Sequence, residues 1–163
     1  TTIFVTHDQT EALTMSDTIA VFDQGRIAQV GTPDSVYNDP NSAFVAKFIG
    51  DTNLFEAKIH GGRAVISADL AFQLDSRTKQ GKYVSIRPQD VALSEADPGL
   101  PNAFRARLEE IQVNGMWSDY IVSVNGHSFR ATALNRTENR LPCRLGEDLF
   151  ISFGESSIKV LDR

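Results

Sequence analysis

Several things are scarce in this sequence, and each scarcity excludes something. Cys143 is the single cysteine among 163 residues, so no internal disulfide can form, which fits a reducing compartment. No apolar run approaches the roughly 18–20 residues that a membrane-spanning helix needs. No basic stretch followed by an apolar one opens the chain, so no signal peptide is expected. A surplus of bases is missing too: the net charge is −5, which argues against a dedicated nucleic-acid binder. The histidines number three, and no spaced Cys/His cluster accompanies His60 or His127, so no metal site is expected. The first residues are Thr1-Thr2-Ile3 without an initiator Met, and the 163 residues are expected to be a piece of a longer chain.

What is present is an ordinary globular composition, 41% apolar and 23% charged. The charge is uneven. Residues 1–50 hold six acids and two bases, whereas the remainder holds 15 acids and 14 bases. The second region is nearly neutral, so its electrostatics select no partner.

The first 50 residues mix helices and strands. Thr2 to Val5 reads as a short buried strand, because Ile3, Phe4 and Val5 run without alternation. Asp8 can cap a helix, with Glu11 three residues on to bond back to it. Thr18 to Phe22 and Ile27 to Val30 read as a hairpin around Asp23-Gln24-Gly25-Arg26. Thr32-Pro33-Asp34 starts a helix that must end near Asp39, because Pro40 disfavours helical geometry before it. Asn41 or Ser42 starts another, with Phe44, Val45, Phe48 and Ile49 on one apolar face and Gly50 to end it.

After Gly50 the texture changes to short strands between turn residues. Residues 53–59, 63–67, 82–87, 104–113, 120–124, 128–133, 148–153 and 157–161 read as strands. Gly61-Gly62, Asp97-Pro98-Gly99, Asn114-Gly115 and Asn125-Gly126 mark turns, the last a strong hairpin signal. Short strands at roughly ten-residue spacing imply a small barrel or sandwich. The fold class is therefore mostly β: a small barrel over residues 51–163, preceded by an α/β segment over residues 1–50.

The stretch that carries chemistry is Val5-Thr6-His7-Asp8-Gln9-Thr10-Glu11-Ala12. A histidine between a strand and a helix is either a structural strand-end residue or a group facing a ligand at the strand's carboxyl end. Elsewhere the plainer readings prevail. Pro88 ends a strand. Arg105 and Arg107 lie on a solvated strand face, and Pro142 keeps Arg136, Arg140 and Arg144 from aligning on a helix. Trp117 packs in a core or an interface. Asn135-Arg136-Thr137 matches a glycosylation sequon, but nothing points to secretion.

The same stretch resembles a family when taken with Asp17-Thr18-Ile19-Ala20-Val21-Phe22, Gly25-Arg26-Ile27 through Pro33, and Phe44 through Gly50. Together these segments look like the end of the nucleotide-binding subunit of ABC importers, the group that includes maltose, polyamine and ferric-iron importers. Val84 through Val91, with Ile86-Arg87-Pro88-Gln89, resembles the Ile-Arg-Pro-Glu segment of that family's regulatory domain, a barrel related to the OB fold. Gln89 replaces the usual Glu.

The resemblance implies that His7 is the switch histidine that contacts the γ-phosphate of ATP in the intact subunit. ATP and Mg²⁺ are the cofactors expected of that parent. The fragment is expected to bind neither and to lack ATPase activity. Its only Gly-Lys pair, Gly81-Lys82, precedes Tyr83, with Ser76 where a phosphate loop needs Gly. The Leu-Ser-Gly-Gly-Gln signature and the acidic strand motif are missing as well.

The implied partners are a second copy through the barrel, membrane permease subunits, and a small-molecule or protein regulator. The implied place is the cytoplasmic face of the cell membrane. Residues 48–55 and Gly115-Met116 resemble the polyamine branch slightly more than the sugar branch. The rival expectation is a stand-alone OB-type module that senses a small ligand without ATP.

Overall fold

In a computed structural model, residues 2–76, 80–135 and 144–162 are described. The expectations about Arg136, Thr137, Arg140, Pro142 and Cys143 fall outside them.

The first 50 residues form a hairpin with three short helices. Helix α1 (Gln9–Met15) follows Asp8, whose Oδ1 accepts the Thr10 and Glu11 backbone N–H groups at 2.8 and 3.1 Å. The expected reciprocal bond is rerouted: the Asp8 N–H goes to Thr6 Oγ1, and the Thr6 hydroxyl donates to Glu11 Oε2 at 2.7 Å. Strands β1 (Ile19–Asp23) and β2 (Arg26–Gly31) turn through Gln24 and Gly25, both at positive φ. That is the twist a two-residue hairpin needs, and it favours Gly at one of the two positions. Helices α2 (Pro33–Asn38) and α3 (Ala43–Phe48) are capped by Thr32 and Ser42. Their buried faces meet β1 in a small cluster of Ile19, Val21, Val36, Val45 and Ile49.

The expected strand at Thr2–Val5 is not formed. These residues belong to no ladder, and Ile3 and Val5 are 89% and 90% exposed. A β-branched run becomes a strand only where a neighbouring backbone accepts its hydrogen bonds, and none of the described strands does.

The remainder is the barrel. The expected strand over residues 53–59 divides into β3 (Asn53–Glu56) and β4 (Lys58–His60), because Ala57 leaves the first sheet for the second. Strands β5 (Arg63–Ser67) and β6 (Leu70–Gln73) complete a three-stranded sheet with β4. Strand β7 (Tyr83–Ile86) lies between β3 and the last strand, and Pro88 does end it, in a 3-10 turn over Pro88–Asp90.

Strand β8 (Ala92–Ser94) precedes three long antiparallel strands: β9 (Ala103–Asn114), β10 (Trp117–Val124) and β11 (His127–Leu134). With β12 (Asp148–Ser152) they make a five-stranded sheet in the order β11-β10-β9-β12-β8. Strand β13 (Lys159–Leu161) closes against β7.

On β10 the burial alternates strictly: Ser118, Tyr120, Val122 and Val124 face in. The inner faces enclose a large core in which Phe72 touches the rings of Phe55, Phe104, Phe129 and Phe153 at centroid distances of 5.1–6.1 Å. Trp117 is half exposed at a strand end rather than in this core, and Arg105 and Arg107 are solvated as expected. Among the described residues no helix is long and apolar enough to cross a membrane.

Candidate functional site

Two places in the molecule gather chemistry. The first is His7. It occupies a bend between the unpaired residues 2–6 and α1, exposed on the surface. Its neighbours are fixed on both sides: Asp8 caps α1, and the Thr6 hydroxyl is held by Glu11. The imidazole is therefore carried by an ordered turn and exposed to solvent. Its two nitrogens can offer one donor and one acceptor when neutral. Among the described residues no group of three or more His, Cys, Asp or Glu is placed to hold a metal ion.

The second place is the junction of the two regions, which sequence reasoning left unnoticed. Here Arg87, at the end of β7, is 8% exposed. One of its terminal nitrogens, Nη1, donates to the carbonyls of Ala46, Gly50 and Asp51 at 2.9, 3.1 and 3.1 Å. The other, Nη2, donates to the Tyr37 carbonyl at 2.8 Å. The guanidinium also lies 4.3 Å from the centre of the Tyr37 ring, a cation–π contact.

Gly50 leaves room beside this contact. A Cβ there would stand 3.3 Å from the Tyr37 ring and 3.6 Å from Nη1. Burial lowers the Arg87 pKa, opposed by Tyr37, Asp90 and Asp51. Gln89 donates to the Tyr37 hydroxyl at 2.9 Å, and Lys159 pairs with Asp39 at 2.8 Å. Tyr37, Arg87 and Lys159 border a cleft of about 300 Å³ between α2 and the barrel, whose wall also includes Ser85, Asp90, Ser156 and Ser157.

One signal could have found this site. Val84, Ser85 and Ile86 are a strand that goes inside, and Arg87 follows directly. A cation carried into an interior must find several acceptors there, since an unpaired buried charge is too costly to keep. The structure does not bring His7 and Arg87 into one site: His7 is exposed and is not among the residues that line the Arg87 cleft.

Comparison with known proteins fits both regions. Residues 84–161 match the TOBE domain family. A sulfate/thiosulfate import ATP-binding protein of Caulobacter vibrioides is 43% identical over 116 residues, covering 71% of this chain and 32% of its own length. Spermidine/putrescine import ATP-binding proteins of Trichormus variabilis and Clostridioides difficile are 38% and 34% identical, covering 88% and 92% of this chain. This chain spans 41% and 43% of those two proteins, so it corresponds to well under half of such relatives.

Among solved structures, the cytoplasmic molybdate-binding protein ModG superposes with a TM-score of 0.50 at 12% identity. The match covers 69% of this chain and 96% of that one, a likeness of fold alone. The barrel is thus OB-like and carries a TOBE domain match at residues 84–161, and the chain is similar across both regions to ABC importer ATP-binding subunits.

Proposed function

We propose that this chain is the C-terminal part of the ATP-hydrolysing subunit of an ABC importer for a small solute. Residues 1–50 would be the end of its nucleotide-binding domain and residues 51–163 its regulatory barrel. The observation that carries this reading is the breadth of the similarity. The polyamine-importer relatives align over 88–92% of the chain, across both regions and not the barrel alone.

His7 is the residue assigned to chemistry. Phosphoryl transfer to water asks little covalent work of a protein; it asks for positioned groups around the transferred phosphate. A surface imidazole on a capped turn is suited to that task. The residues of this chain do not fit a complete ATP–Mg²⁺ site, because no phosphate-cradling loop is among them, and no hydrolytic step is assigned to the chain by itself. In the complete subunit, His7→Ala is expected to lower ATP turnover by about 10²–10³-fold, the scale of losing one group that stabilises developing charge, with an unchanged circular dichroism spectrum. Turnover within twofold of the parent would remove the role. The 163-residue chain mixed with ATP and Mg²⁺ is expected to release no phosphate.

Polyamine is the proposed cargo, on the resemblance of residues 48–55. The rival is a small oxyanion, since a sulfate/thiosulfate importer protein is among the relatives. Uptake of spermidine against sulfate by the reconstituted importer separates them. The assembly proposed is a pair of these subunits joined through their barrels at the cytoplasmic face of permease subunits. The fold likeness to a molybdate-binding protein favours one second reading, a barrel that senses a small anion. Titrating molybdate and sulfate into the 163-residue chain by calorimetry tests it.

A further inference from the structure

Three observations at the junction combine. First, the two apolar cores share no residue, so burial alone does not fix the first region on the barrel. Second, α2 and α3 have six residues each, too short to persist in water without tertiary support. Third, neither helix is followed by a left-handed residue: neither Pro40 nor Gly50, which come next after the C-caps Asp39 and Ile49, has a positive φ. The usual glycine-type termination is thus absent at both, and carbonyls of their last turns need donors from elsewhere.

Gln29 Nε2 serves the Asp39 carbonyl at 3.1 Å, and one barrel side chain serves carbonyls of both helix ends. Tyr37 and Ala46 lie in the last turns of α2 and α3, and Gly50 follows just beyond. Their three carbonyls, with that of Asp51, all accept from Arg87. The C-terminal ends of both helices also carry the negative ends of their dipoles, which a cation satisfies. We propose that Arg87 is a shared C-terminal cap for α2 and α3, a positioning residue by which the barrel holds residues 1–50, and with them His7, in one orientation.

The fork of the guanidinium is what the task requires. Its nitrogens reach two helix ends at once while the plane rests on Tyr37. A lysine ammonium is a single point and cannot span both. The inference concerns the joining of the two regions and stands without the ATP reading, so each can fail separately.

The test uses the 163-residue chain without nucleotide, comparing Arg87→Lys and Arg87→Ala with the parent by amide hydrogen exchange and ¹⁵N relaxation. Both variants are expected to keep the protection of the β9, β10 and β11 amides. The amides of α2 and α3 are expected to exchange about tenfold faster or more, as in a locally opened unit, and residues 9–49 to tumble separately from the barrel. Two results overturn the proposal. One is wild-type protection of α2 and α3 in Arg87→Ala, or in Arg87→Lys, where it would mean that charge alone suffices. The other is loss of barrel protection in both variants, which makes Arg87 part of the barrel's own structure.

Discussion

Residues 2–50 and the barrel that follows use similar apolar material in different ways. The first region buries five large apolar side chains in one cluster; the barrel's cluster contains nineteen buried residues. Yet eight of the fifteen large apolar side chains left exposed in the described structure belong to the first region, among them Ile3, Phe4, Val5 and Phe22. The barrel has inner and outer faces that alternate along its strands, so its sequence and its core agree. The first region has secondary structure but not enough neighbouring surface to cover its apolar residues. The lesson is that capped helices and a good hairpin do not make an independent core. A region of this kind depends on what it is fastened to, and here that is a polar junction.

The largest effect should come from testing whether the two cores are separate cooperative units. Phe72 is fully buried amid four aromatic neighbours, and Phe72→Ala is expected to cost about 3–5 kcal/mol in urea denaturation of the whole chain. Ile49 is nearly as buried, but in the small cluster. For Ile49→Ala the loss should appear as faster amide exchange within residues 9–49, with β9–β11 unchanged. An equal shift of the main urea midpoint by both variants would break the comparison and make the chain one unit.

A smaller effect is expected where the barrel closes. Gly81 lies against β13, and a Cβ there would stand 2.5 Å from Val160 Cγ1 and 2.7 Å from the Leu161 carbonyl oxygen. The second contact is with backbone, and the same carbonyl accepts the Lys82 N–H at 2.8 Å, so neither partner can move aside freely. Gly81→Ala should cost about 1–3 kcal/mol, as overpacking does, read from the urea midpoint. Gly25→Ala, in the first region's hairpin, meets open space and suffers only from its positive φ; its cost should stay local to β1 and β2.

Much of the fold was legible because its signals are local. Asp8, Thr32 and Ser42 announce their helices by capping chemistry, and Asn125-Gly126 announces its hairpin by the positive φ both residues adopt. What was missed depends on distant partners. Strand β6 follows β5 through Ala68-Asp69, a turn without the Gly or Asn that usually marks one, and a bulge at Val65–Ser67 blurs the alternation. Strand β8 is three residues at a sheet edge and exists because β12, more than fifty residues later, pairs with it. Thr2–Val5 is the converse, with strand-like composition and no partner.

The candidate site divides the same way. His7 stands out in the sequence because it lies between a β-branched apolar run and a helix, in a stretch that resembles a family, whereas Arg87 is hidden because its four acceptors come from residues 37–51. No periodicity announces an acceptor that is a backbone carbonyl.

The smallest effect concerns the join itself and fixes a sign. Asp90 stands at the cleft between the two regions, near Arg87 and Lys159. Two influences oppose each other there. Desolvation favours the neutral acid and raises its pKa; the two cations favour the carboxylate and lower it; desolvation prevails. The folded state therefore holds this proton more tightly than the unfolded chain, whose Asp titrates near about 3.9. The associated stability is complete below that pH and declines as the pH rises through the folded value. Asp90→Asn removes the titration. The melting temperature of the variant minus that of the parent should thus be more positive at pH 7 than at pH 3.5, by a small margin because the side chain is largely solvated. The opposite sign would mean that Arg87 and Lys159 hold Asp90 as an anion. The join would then owe part of its strength to that ion cluster, and not to helix carbonyls gathered by a single guanidinium.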